Sequence, residues 1–214
     1  MRGKLLTLTL VAMMAAPIMT GCGNHGKEYL GHEYVDLGLP SGTKWATANI
    51  GGGQDDTAND YYSWGESETK EYYYIDTYRW ADGYKAGKTA IDEDDDVAHV
   101  KWGGKWRLPT KEDFAELEDT LHNTTWIPSP YKGHVSWIVR SKRNNRSIRL
   151  TALGYRNRDK LEQDSIGFYL GATIGDTDGM NKANTFTCMG FSKDTIKIGD
   201  AGGYFGYSVR PVFR

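Results

Sequence analysis

From residue 51 to about residue 100 the chain carries Tyr61, Tyr62, Trp64, Tyr72, Tyr73, Tyr74, Tyr78, Trp80 and Tyr84. Its apolar residues there recur neither every second position nor at the spacing of a helix. Such a stretch folds as long structured loops, and loops need a core built elsewhere to hold them. A chain of 214 residues can supply one, since a chain this long buries about 70% of its unfolded surface without help from disulfides or metal. The 26 glycines follow no collagen period and read as turns. With 26 Lys and Arg against 28 Asp and Glu, there is no electrostatic case for a nucleic-acid partner.

Arg2 and Lys4 precede an almost wholly apolar run from Leu5 to Met19, the charged start and short hydrophobic segment of a secretion signal. No later apolar stretch reaches the ~18 residues of a membrane span. Met19-Thr20-Gly21-Cys22 resembles a bacterial lipobox, with Met19 where Leu or Val is usual. The resemblance implies a signal peptide over residues 1–21, cleavage before Cys22 and acylation of its thiol. A tether over 22–32 and one domain over 33–214 would follow. An ordinary signal peptide that happens to contain a cysteine is the alternative. Several acyl chains on Cys22 would anchor the protein stably in outer-membrane lipid, at the cell surface or facing the periplasm. Removing Arg2 and Lys4 leaves 24 basic residues against 28 acidic ones, a net charge of about −4. Cys188 would then lack a partner and reads as a small apolar residue on a buried strand.

Residues 34–37 and 44–50 read as two strands joined through Leu39-Pro40-Ser41-Gly42. Thr110 predicts the N-cap of a helix running to Leu121, with Phe114, Leu117 and Leu121 on one face. Strands are expected over 134–141, 147–153, 166–174, 185–191, 195–198 and 208–213. Lys142-Arg143-Asn144-Asn145-Arg146 turns between the first two. The pattern is α+β, in one domain, without an internal repeat.

Several blocks keep their order from about residue 34 to the end. They are Val35-Asp36-Leu37-Gly38-Leu39-Pro40-Ser41-Gly42-Thr43-Lys44-Trp45-Ala46, Tyr62-Ser63-Trp64-Gly65-Glu66, residues 95–110 with Trp102-Gly103-Gly104-Lys105-Trp106-Arg107-Leu108-Pro109, Gly154-Tyr155-Arg156, and Gly206-Tyr207-Ser208-Val209-Arg210-Pro211-Val212. Together they resemble the Fibrobacter succinogenes major paralogous domain, found in secreted and surface proteins of Bacteroides-like bacteria. The resemblance implies a C-type-lectin-like fold, similar to that of formylglycine-generating enzyme and of receptors varied by diversity-generating retroelements. In that fold a few small sheets and one clear helix hold long recognition loops. Trp102, Gly103, Gly104, Trp106, Arg107 and Arg210 read as scaffold, with the arginines holding carbonyls and carboxylates.

Catalytic chemistry finds little support. Formylglycine-generating enzyme holds copper with two cysteines, and only Cys188 remains once Cys22 is acylated. His25, His32, His99, His122 and His134 lack the spacing of a zinc site, and neither Gly51-Gly52-Gly53-Gln54 nor Gly202-Gly203-Tyr204-Phe205-Gly206 matches a phosphate loop. The acidic run containing Asp92, Asp94, Asp95 and Asp96 suits Ca²⁺, which takes six to eight oxygens; a solvated loop is the other reading. Asp176, with Asp178 close by, reads as a polar turn.

Binding is the better expectation. The aromatic loop, with Tyr72, Tyr74 and Tyr78, mixes rings with carboxylates and amides suited to a glycan or a protein, while Trp64 and Trp80 read as core. In the retroelement-diversified relatives, the stretch before the closing block faces the ligand. By that resemblance Asp176, Asp178, Asn181, Asn184, Lys193, Asp200 and Tyr204 form a binding face. Arg140, Lys142, Arg143, Arg146, Arg149, Arg156, Arg158 and Lys160 make a basic stretch that suits an acidic glycan or a lipid headgroup, or simply stays in water. Tripeptides beginning at Asp56, Asp119, Asp164 and Asp194 resemble the O-glycosylation signal of Bacteroides-like bacteria. The expected protein is thus a lipid-anchored envelope component that binds a ligand without catalysis; a pilus or envelope-complex subunit and a diversified receptor are the alternatives.

Overall fold

The computed structural model describes residues 27–53, 56–175 and 185–214. The protein is α+β, with small antiparallel sheets, few helices and long loops. The first sheet joins β1 (Lys27–Tyr29), β2 (His32–Asp36), β3 (Lys44–Ala46) and, from the other end of the chain, β12 (Val212–Phe213), in that order. Part of the expected tether is therefore sheet. Leu30 and Gly31, with φ of 51° and 79°, make a two-residue turn of the kind that matches strand twist, and Tyr29 pairs with His32 across it. The Tyr29 ring stacks 4.7 Å from Phe213, which anchors β1 to the opposite terminus.

A second sheet contains β4 (Thr124–Pro128), β5 (Ser136–Ser141) and β6 (Ser147–Thr151). A third orders β11 (Ile196–Gly202), β10 (Thr185–Phe191) and β9 (Gly167–Ile174), and β7 (Tyr155–Asn157) pairs with β8 (Lys160–Glu162) in a small hairpin. Strands β9 and β10 are buried on both faces because they divide two cores. Tyr169, Met189 and Phe191 face one, with Trp45, Phe114 and Leu150. Leu170, Ala172 and Phe186 face the other, with Trp64, Tyr78 and Val209. This strand-period alternation explains why the run reads as continuously apolar.

The helices are α1 (Val97–Trp102) and α2 (Lys111–Glu118). Thr110 caps α2 as expected, accepting from the Asp113 amide while the Asp113 carboxylate accepts from the Thr110 amide. Phe114 and Leu117 are buried, but the helix stops at Glu118 and Leu121 is 75% exposed. The Asp119 side chain accepts from the Leu121 and His122 amides, and this local turn ends the helix. The closing strand is also shorter than expected. Residues 208–211 instead thread through the core, where fully buried Arg210 donates to Asn49, to the Ala46 and Thr47 carbonyls and to Asp56. Arg107 pairs with buried Asp113 at 2.6 Å.

Candidate functional site

Three loop segments converge beside the second core. Tyr73 exchanges both backbone hydrogen bonds with Arg158, and Arg156 does the same with Gly206. Gly206 allows this approach, since a β-carbon there would lie 2.7 Å from the Tyr73 ring and 2.9 Å from Arg156. Tyr73 points inward, its hydroxyl donating to the Tyr61 carbonyl at 2.7 Å. Extended chain alternates its side chains, so Tyr72 and Tyr74 turn outward.

The result is a strip of rings. Tyr72 lies 6.3 Å from Tyr74, Tyr74 6.2 Å from Tyr204, and Tyr204 4.3 Å from Phe205. Phe205 is 5.3 Å from Tyr155, which is 5.3 Å from Phe168. The Arg158 guanidinium sits 4.5 Å over the Tyr74 ring. At one end an apolar cleft of about 210 Å³ opens between Tyr155, Phe168, Ala201 and Phe205. Tyr73 itself lines a more polar cleft of about 400 Å³, with Asn59, Asp60, Tyr61, Lys70, Glu71 and Arg156. There the Arg156 guanidinium lies 5.3 Å over the Tyr61 ring, and the Tyr61 hydroxyl is tied to the Leu153 carbonyl. Burial pushes the Tyr61 phenol up, against the opposing pull of Arg156. A third cleft, of about 290 Å³, lies at the first sheet, where His32 stacks 3.7 Å from Trp102 and burial lowers its pKa.

Of the expected ligand residues, Tyr72, Tyr74 and Tyr204 come together. Tyr78 does not: it is 4% exposed and packs in the second core, so it is scaffold. Lys193 is exposed in the turn between β10 and β11, seven strand residues or roughly 20 Å from Tyr204. Asp200 is exposed on β11, but its neighbour Ala201 turns into the apolar cleft, which directs Asp200 to the opposite face. Asp176, Asp178, Asn181, Asn184 and Cys22 lie outside the described residues. Tyr155, Phe168 and Phe205 are members that the sequence reading passed over, while Arg158 was read only as part of the basic stretch. Tyr155 and Phe205 carried a signal, each being an aromatic beside glycine in a block read as fold signature or turn.

The acidic run does not assemble the expected Ca²⁺ ligands. Asp96 turns inward, capping α1 through the Ala98 and His99 amides and accepting from the Leu108 amide. Burial outweighs these bonds and raises its carboxyl to about 6. Buried Asp95 meets Lys85 at 2.7 Å, Arg79 at 3.1 Å and the Tyr84 hydroxyl at 2.7 Å, while Asp92 meets Lys88 at 2.6 Å. Burial alone would raise Asp95, but Lys85 and Tyr84 hold it below the usual carboxylate range. These carboxylates fasten the 79–88 loop, and Asp94 is left exposed. Among the described residues, no three His, Cys, Asp or Glu converge to hold a metal ion. Thr120, expected within the helix, is exposed beyond its end, and Ser165 and Thr195 are exposed as well.

Compared with protein-family models, curated proteins and solved structures, the chain matches none.

Proposed function

We propose that this protein is a lipid-anchored envelope component that binds a glycan, without catalysis, through loops of a C-type-lectin-like domain. The observation that carries the reading is the strip Tyr72, Tyr74, Tyr204, Phe205, Tyr155 and Phe168, formed by four chain segments. Tyrosine rings present an apolar face and a polar rim, which suits a sugar's C–H face and hydroxyls, and Tyr155, Phe168 and Phe205 of the strip also line an apolar cleft. The loops are held by backbone pairs and by the Asp95 cluster, so little freedom is lost on binding. The fold assignment rests on the ordered sequence blocks, and the anchor on the lipobox at Cys22.

Two experiments test this. The full chain, purified in detergent, is screened on an oligosaccharide array beside Tyr72→Ala with Tyr204→Ala. Bound sugars should lose roughly tenfold or more in affinity in the double variant, which corresponds to 1.4 kcal/mol or more. Binding that survives intact, or capture of a protein ligand alone, sinks the glycan reading. Labelled palmitate should enter the wild type and fail to enter Cys22→Ser; equal labelling removes the anchor.

A further inference from the structure

Two arginines near Tyr73 each sit over a tyrosine ring: Arg156, which lines the polar cleft, over Tyr61 at 5.3 Å, and Arg158 over Tyr74 at 4.5 Å. The two are two positions apart, roughly 6 to 7 Å of extended chain. Neither can drift. Arg156 exchanges backbone bonds of 2.8 and 3.0 Å with Gly206, and Arg158 exchanges bonds of 2.8 and 3.0 Å with Tyr73. The other buried or half-buried arginines among the described residues are neutralised: Arg107 by Asp113, and Arg149 and Arg210 by Asp56. Arg156 is half-buried too, yet among the described residues neither it nor Arg158 is ion-paired with a carboxylate.

A guanidinium carries five N–H donors in a planar fork that grips a carboxylate or sulfate with two parallel bonds, and those that Arg158 does not give to the Tyr74 and Tyr72 side chains remain for a ligand. Stacking also fixes the fork before any ligand arrives. The acceptors Asp60 and Glu71 in the same cleft, with Asn59, have no use for a bare anion but suit the hydroxyls of a sugar. We infer that the Arg156 and Arg158 pair makes this surface selective for anionic glycans, carrying carboxylate or sulfate on neighbouring sugar units. The inference rests on the glycan-binding reading of the strip and names its ligand class.

The test uses the full chain in detergent, titrated with three probes: oligogalacturonate, the same oligomer fully methyl-esterified, and a sulfated heparin oligosaccharide. At least one acidic probe should bind about tenfold or more tighter than the ester, as charge-assisted bonds require, and its affinity should fall with added salt. Arg156→Gln with Arg158→Gln should abolish that margin, so that the acidic probes bind no tighter than the ester. Lysine at both positions should restore only part, because an ammonium cannot chelate. Equal affinity for the acidic probes and the ester overturns the inference and leaves the glycan reading standing. Wild-type protein that binds none of the three, nor any other oligosaccharide, removes both. Circular dichroism checks folding of each variant; should the Gln pair unfold, acidic affinity that is indifferent to salt in the wild type is itself enough to overturn the proposal.

Discussion

Asp113 is fully buried and yet charged. It accepts from Arg107 at 2.6 Å, the Thr43 hydroxyl at 2.7 Å, the Thr110 amide at 2.9 Å and Arg214 at 3.2 Å, so one carboxylate joins the first sheet, α2 and the chain's last residue. Burial would raise its carboxyl, but the Arg107 guanidinium and these bonds prevail and hold it at about 2. A carboxyl with a folded pKa below its unfolded value stabilises the fold above the unfolded pKa. That contribution, on the order of 2 kcal/mol, is lost as pH falls from about 4 to about 2. Asp113→Asn should cost about 3 kcal/mol in urea unfolding at neutral pH and flatten the acid limb of the stability profile. An unchanged acid limb would show that the cluster does not govern it. Cys188 behaves oppositely: burial pushes its thiol up to about 12, so it stays protonated and covered. Iodoacetamide should leave it unmodified in the native protein and label it fully in denaturant, as read by mass spectrometry.

At the scale of elements, the hairpin β7–β8 has little apolar surface of its own: Lys160 and Leu161 are exposed, and its strands are short. Its place comes from the backbone pairs to Tyr73 and Gly206. Gly206→Ala should therefore force these segments apart, costing about 1–3 kcal/mol by thermal unfolding and weakening oligosaccharide binding through the displaced strip. This also explains what could be read in advance. Strand β10 and the start of α2 were legible because apolar period and capping chemistry are local, and β10 falls on its expected bounds. β1, β4, β7, β8 and α1 were not, since short strands and a one-turn helix are held by distant partners that a sequence window does not contain. The site divides in the same way. Tyr72, Tyr74 and Tyr204 could be nominated as aromatic residues in loops, whereas the burial of Tyr78 depends on the second core packing over it. Phe168 and Arg158 belong to the strip only through tertiary pairing.

For the whole molecule, β9 and β10 act as a shared wall: one face packs under α2 and the second sheet, the other under the aromatic loops. Substitutions in the wall should reach both cores at once. Trp64 stacks 3.6 Å from Phe186 on the wall and donates to the Gly171 carbonyl, so Trp64→Ala should cost about 3–5 kcal/mol and loosen the recognition loops with it. Hydrogen exchange would show this as faster exchange at Tyr73 and Arg156 amides; protection equal to wild type would decouple the loops from the wall.

The first sheet takes its inner edge from residues 212 and 213, beside β3. A chain is synthesised from its N-terminus, so Trp45 and Trp106 gain Val212 and Phe213 as neighbours only once those two residues have been made. Closure of the first sheet therefore waits on residues 212 and 213, and a nascent chain that has not reached them holds both indole rings without that cover.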